Sequence, residues 1–333
     1  MTVVDGPFGF AASNDVLDAE LLVGMAAVEE LLRGAVKSDY PFVTEASRHL
    51  VDAGGKRFRP LLVLLASHFG DPAAPGIVPA AVVVELTHLA TLYHDDVMDE
   101  AALRRGAVSA NARWDNTVAI LTGDFLFARA CDLLADLGPE AVRIQARTFE
   151  RLVTGQIRET VGPGDDDDAL EHYLSVVADK TASLIATSGR FGAMLSEADE
   201  QVVDVLARFG ERIGVAFQLA DDVLDVASDS VESGKTPGTD LREGVPTLPV
   251  LHALRSTDPA DARLLTLLGG NLAADDLHAE ALALLRVHPA MAAARADLER
   301  WAEDARSVLA PLPDVAAKAA LASLCDAVIR RTA

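Results

Sequence analysis

Residues 79–100 read PAAVVVELTHLATLYHDDVMDE, an apolar run with no polar alternation that ends abruptly in acids. On a helix, Asp95 and Asp99 lie four residues apart and share a face, with Asp96 offset by about 100°. Like charges at that spacing repel by a few tenths of a kcal/mol, roughly, so a compensating partner is expected. A solvated helix would interleave acids with its apolar stripe. Here they terminate a buried helix instead, and RRG follows at 104–106.

The rest of the chain fits a helical reading. Of 333 residues, 50% are hydrophobic but only 5% aromatic, so the core must be aliphatic, and Ala and Leu favour helices. Residues 15–36 and 279–287 repeat apolar positions at three- and four-residue steps. Breakers fall at 52–60, 69–76, 161–168 and 228–246. Their spacing predicts about ten helices of roughly 15 to 25 residues in one large all-α domain over 1–333, with no hairpin strands.

A net charge of −22 argues against nonspecific attraction to nucleic acid or to an anionic membrane. The two cysteines, Cys131 and Cys325, lack metal-ligand spacing and point to a reducing, cytoplasmic compartment. No signal-peptide pattern opens the sequence, and no stretch of about 18 uninterrupted apolar residues follows. A soluble chain is expected, with at most peripheral membrane contact.

The acid spacing recurs in FQLADDVLDV, 217–226, where Asp221, Asp222 and Asp225 again follow an apolar helix. Gln218 shares their face. Carboxylates are hard ligands suited to Mg²⁺, which is typically shared between one or two carboxylates and substrate phosphates. Two other acidic runs read differently. DDDD at 165–168 precedes a helix and suits its N-terminal dipole, and Asp275–Asp276 lack a third acid, since position 279 is Ala.

Among the cations, GGKRFRP at 54–60 stands out in so acidic a chain. It is either a helix C-terminus whose cations answer the dipole, or a loop in which the glycines admit an anion held by Lys56 and Arg59. His88 lies two turns before Asp95 on the same face. Arg104, Arg105, Lys180 and Lys235 complete the candidates.

Taken in order, GGKRFRP, HLATLYHDDVMDE, RRG, GDFLFARA, VTGQ, KTASL, FQLADDVLD and GKTPGTDLREGVPTLP resemble the trans-isoprenyl diphosphate synthases of the polyprenyl synthetase family, over about 45–330. The resemblance implies the isoprenoid synthase fold, a single helical bundle around a central cavity, and a homodimer. It implies Mg²⁺-dependent head-to-tail condensation of isopentenyl diphosphate with an allylic diphosphate (geranyl, farnesyl or geranylgeranyl). Asp95, Asp96, Asp99, Asp221, Asp222 and Asp225 would ligate about three Mg²⁺ or hold the ligands. Lys56, Arg59, His88 and Arg105 would bind isopentenyl diphosphate; Arg104, Lys180 with Thr181, Gln218 and Lys235 would hold the allylic diphosphate. Many relatives have Lys where this chain has Val245, which removes one potential diphosphate contact.

Product length turns on the residues upstream of Asp95. Short-chain members typically place an aromatic one turn before, whereas Ala90 and Thr91 stand here, with Leu86 and Thr87 a turn deeper. Tyr93 points elsewhere on the helix. One isoprene unit per 5.4 Å turn then predicts a long product, about C30 to C45. The alternatives are a short-chain (C15–C20) synthase, a noncatalytic subunit of a heteromeric synthase, and a class I terpene cyclase. The second DDxxD motif and the intact GGKR cations weigh against the last two.

Overall fold

A helix that is apolar on every side has to be enclosed. Residues 80–87 are apolar apart from Glu85 and Thr87, and all eight are buried. The computed structural model describes residues 14–228 and 237–332, and it folds as two compact units. One comprises residues up to 150 with 184–210 and 308–324; the other comprises 151–183, 211–307 and 325–333.

In chain order the helices are α1 Asp15–Ala35, α2 Pro41–Asp52, α3 Phe58–Ser67, α4 Ile77–Met98, α5 Ala110–Arg113, α6 Asn116–Leu137, α7 Pro139–Val161 and α8 Ala169–Val177. They continue as α9 Ser183–Leu195, α10 Glu200–Ala227, α11 Thr239–Glu243, α12 Leu248–Leu254, α13 Ala262–Leu268, α14 Asp275–Val287, α15 Pro289–Val308 and α16 Ala316–Arg330. The described residues thus hold sixteen α-helices where about ten were expected. The surplus is mostly short. Helices such as α5, α11, α12 and α13 run four to seven residues, too few for an apolar period to show.

In the first unit α4 is the centre, packed by α1, α3 and α6. Gly123 lets α6 come close: a Cβ there would lie 3.0 Å from the Ala90 carbonyl and collide with the His94 ring. By length and composition α4 is the one described helix that could cross a membrane, yet its most apolar stretch is mostly buried inside the protein. In the second unit α12 packs on α8, α13 and α14. The 165–168 acids behave as read, with Asp168 capping α8 through the backbone N–H groups of Leu170 and Glu171.

A second expectation, that no hairpin strands form, also fails. Strands β1 Leu103–Arg104 and β2 Ala107–Val108 form an antiparallel hairpin directly after the first acid cluster. Its two-residue turn is Arg105–Gly106, at φ 54° and 76°, the positive pair that a type I′ turn requires. Two residues per strand leave no alternation for a sequence pattern to reveal.

Candidate active site

In the first unit, α4 delivers its acids where the helix ends. Asp99 is the C-cap, and Ala101 N–H donates to the Asp96 carbonyl, turning the chain into the hairpin. From β1, Arg104 reaches back: its Nε lies 2.5 Å from Asp96 Oδ1, and a terminal nitrogen lies 3.5 Å from Asp99. Asp96 is fully buried, and its second oxygen, Oδ2, has no hydrogen-bond donor among the described residues. Burial raises its pKa above the usual carboxylate range, partly offset by Arg104.

Arg105 goes the other way. From the turn it donates to the carbonyls of Leu50, at 3.0 Å, and Gly54, over the loop joining α2 to α3. A Cβ on Gly55 would sit 2.8 Å from the Arg105 guanidinium carbon, so only glycine lets that side chain lie on the loop. GGKRFRP is therefore this loop plus the first turn of α3. Lys56 is exposed and Arg59 half-buried.

The middle cation, Arg57, is the buried one. Its backbone is left-handed (φ 47°), costing roughly 1–2 kcal/mol, and its guanidinium meets Glu29 at 2.5 Å and Glu85 at 2.8 Å. Burial opposes its charge, but Glu85 and Glu29 outweigh that and its pKa is raised. His88 is half-buried beside the same guanidiniums. Desolvation first, then Arg59, Arg105, Arg57 and Arg104, hold its imidazole well below the ordinary value. It is neutral at pH 7.

The tunnel candidates differ in exposure. Ala90, Leu86 and Thr87 are fully buried, whereas Thr91 is half-buried and bonds the His88 carbonyl at 2.8 Å. Thr87 is tied to Gln145 of α7 at 2.8 Å. Tyr93 does face elsewhere: its hydroxyl donates to the Ala46 carbonyl at 2.5 Å and accepts from Leu50 N–H.

In the second unit, α10 carries the other acids. Asp222 is buried, and both its oxygens accept: Tyr173 and Leu248 N–H donate to Oδ2, and Gln218 donates to Oδ1 at 3.1 Å. Desolvation pushes its pKa up to about 7 despite those donors. Thr181 extends the chain by donating to Gln218 at 3.3 Å. Lys180 instead pairs with Glu159 at 2.5 Å. Both residues sit in a π-helical turn, Ala178–Ala182, of the kind often found at functional sites.

Asp225 accepts from Thr239 and Asp240 N–H at 3.2 and 3.3 Å, anchoring the start of α11. Asp221 pairs with Arg331, which also lies over the Phe217 ring, 4.9 Å from its centroid. Lys235 lies outside the described residues. Val245 is exposed at the end of α11. Asp275, which lacks a third acid, pairs with Arg242 at 2.8 Å.

Among the described residues no three His, Cys, Asp or Glu side chains converge as a ready-made metal cage. The donor set still fits a hard divalent ion of the Mg²⁺ type, which takes only one or two carboxylates and leaves the remaining positions to water and phosphate. A buried carboxylate oxygen without a donor, as on Asp96, is the kind of group such an ion satisfies.

Sequence reasoning missed Glu29, Glu85, Tyr173 and Arg331. Glu85 alone left a signal, as the single charge inside VVVELTHLA. The other three are joined to the site only by tertiary contact.

The described residues are nearly all helical and carry two aspartate clusters, one against the Arg104 guanidinium and one in a hydrogen-bonded chain, and their fold is the isoprenoid synthase fold of the solved structures they resemble. A polyprenyl synthetase family model matches residues 40–285. A nonaprenyl diphosphate synthase of Mycobacterium tuberculosis is 51% identical, with 97% of each chain covered. A dimethylallyltranstransferase of the same organism is 43% identical over 91% of this chain and 92% of its own. A crystal structure of geranylgeranyl pyrophosphate synthase from Corynebacterium glutamicum, complexed with calcium and isoprenyl diphosphate, superposes with a TM-score of 0.86 at 47% identity, covering 96% of this chain and 98% of that one. The chain belongs to the polyprenyl synthetase family, whose members are prenyltransferases.

Proposed function

We propose that this chain is an all-trans polyprenyl diphosphate synthase that condenses isopentenyl diphosphate head-to-tail with an allylic diphosphate, as a single functional domain. The end of α4 carries the reading: a buried carboxylate with one oxygen lacking a donor, an arginine from the adjoining hairpin on its other oxygen, and a basic loop around a neutral histidine. Divalent metal use is supported by the calcium and isoprenyl diphosphate in the Corynebacterium glutamicum relative. Magnesium, about three ions per site on the family pattern, is the finer proposal; such ions supply charge that stabilises a departing diphosphate.

Asp95, Asp96 and Asp99 in the first unit, and Asp221 and Asp225 in the second, would each hold metal; Asp222, read as a ligand from the sequence, already accepts three hydrogen bonds and instead keeps α10 in place. Arg104, Lys180 and Lys235, together with Gln218, bind the allylic diphosphate, and the charge of the three cations favours ionisation of its C–O bond. Lys56, Arg59, His88 and Arg105 bind isopentenyl diphosphate and direct its double bond at the allylic carbon. The chain contributes no nucleophile. A proton then leaves, and the released diphosphate accepts it.

A long product, about C30 to C45 at one unit per helical turn, is supported by the small residues at 90 and 91 and by full-length similarity to a nonaprenyl synthase. The geranylgeranyl relative favours a second reading, a stop at C20. Incubation with Mg²⁺, labelled isopentenyl diphosphate and C10, C15 or C20 primers separates them. A ladder reaching C30 or beyond is expected. A stop at C15 or C20 overturns the length, and no incorporation with any primer overturns the function.

A further inference from the structure

Within the buried stretch 80–87 of α4 one residue is charged, Glu85, itself 1% exposed. Its Oε1 meets the Arg57 guanidinium at 2.8 Å and that of Arg105 at 3.8 Å. These arginines come from different elements, Arg57 from the loop before α3 and Arg105 from the hairpin turn, and neither touches the aspartate cluster. Arg104 and Arg105 are thereby split: the first serves the acids, the second serves the loop. His88 follows Glu85 by three residues, so both project from one face of α4 toward the same guanidiniums.

Stability alone does not call for this arrangement. Well-packed apolar residues usually do as well as a buried ion pair or better. What the carboxylate does achieve is placement. Arg57, Arg59 and Arg105 all lie close enough to depress His88, and like charges so gathered would spread apart without a fixed anion between them.

We propose that Glu85 is a positioning residue for the isopentenyl diphosphate site: it holds Arg57 under the glycine loop and Arg105 across it, setting the geometry in which Lys56, Arg59, His88 and Arg105 receive that substrate. The proposal rests on the function proposed above. Glu29, which meets Arg57 but has no contact with Arg105, has no such part.

The test is steady-state kinetics of Glu85→Gln, Glu85→Asp and Glu29→Gln with both substrates varied, on proteins checked by thermal melting. Glu85→Gln is expected to raise KM for isopentenyl diphosphate by about tenfold or more, the loss of one charged hydrogen bond, while KM for the allylic diphosphate and kcat change less than about threefold. Glu85→Asp keeps the charge but draws it back by one methylene, so it folds and shows the same selective rise, only smaller. Glu29→Gln melts lower with both KM values near wild type. Equal rises in the two KM values, a fall in kcat alone, or unchanged kinetics in either Glu85 variant overturns the positioning role. If Glu85→Gln does not fold, Glu85→Asp decides alone. Wild-type protein that incorporates no isopentenyl diphosphate defeats the proposed function instead, a result visible before any variant is made.

Discussion

The two aspartate clusters share one spelling, DDxxD, and almost nothing else. Asp96 is buried against a guanidinium, with one oxygen lacking a donor, whereas Asp222 is buried among neutral donors that fill both oxygens. Both are raised by desolvation, but only Asp96 has a formal positive charge on its carboxylate to offset it. A motif fixes ligand type and spacing, while the surrounding groups decide whether a carboxylate is poised to bind or committed to holding helices together.

The largest effect that could break this contrast is a pair of truncations. Asp96→Ala should cut turnover by about 10²- to 10³-fold or more, on the scale of losing a group that organises charge in the transition state, with little change in melting. Asp222→Ala should lose turnover too, but also about 2–4 kcal/mol of stability, because the Tyr173 hydroxyl and Leu248 N–H lose their acceptor. Urea melts in chelator read the stability and single-turnover assays the rate. Equal stability losses would erase the distinction.

Next comes the basic side of the first cluster. Arg57→Met leaves Glu85 buried without its nearest cation and should cost about 3–5 kcal/mol in a urea melt. By contrast, Lys180→Ala in the second unit should cost less than about 1 kcal/mol, since its partner Glu159 is solvent-accessible. The Lys180 variant should instead show a raised KM for the allylic substrate.

His88 gives a smaller, pH-dependent test. Its folded pKa lies below its unfolded value of about 6.5, so the unfolded chain binds the extra proton first as pH falls. Stability from this group is therefore full above about pH 6.5 and is lost progressively as pH falls below it. His88→Gln should lose less stability than wild type between pH 7 and 5.5, measured by chemical melts at each pH.

The last prediction is a change of product with little change in rate. Thr91→Phe, at the half-buried position, should shorten the product to about C15–C20, roughly two to six fewer helical turns of tail. Ala90→Phe meets a fully buried site and should destabilise by about 1–3 kcal/mol through overpacking. Chromatography of the dephosphorylated products reads the first, and melting reads the second.

Legibility followed length and locality. Long helices announce themselves, α1 through several turns of periodic apolar residues and α4 through an apolar run that ends in acids. The hairpin at 103–108 does not, since two residues per strand carry no period, although Arg105–Gly106 is an acceptable I′ turn. Of the site, the aspartates and the GGKRFRP cations stand in short, chemically distinct motifs. Glu85 is visible only as an oddity in an apolar run, and Tyr173 and Glu29 are invisible because their partners lie 49 and 28 residues away.

By itself, then, the sequence determined the all-helical class, the two carboxylate clusters and the basic loop, because ligand chemistry and helical period are local properties of the chain. Only the tertiary structure decided which acid is saturated and which keeps an oxygen without a donor. It also separated Arg104, bound to the acids, from Arg105, bound to the loop, and gave Arg57 to the interior and Lys56 to solvent. The reason is physical: burial and hydrogen-bond saturation depend on groups brought together from distant positions, and the free energy of a charge depends on that company more than on its neighbours in sequence.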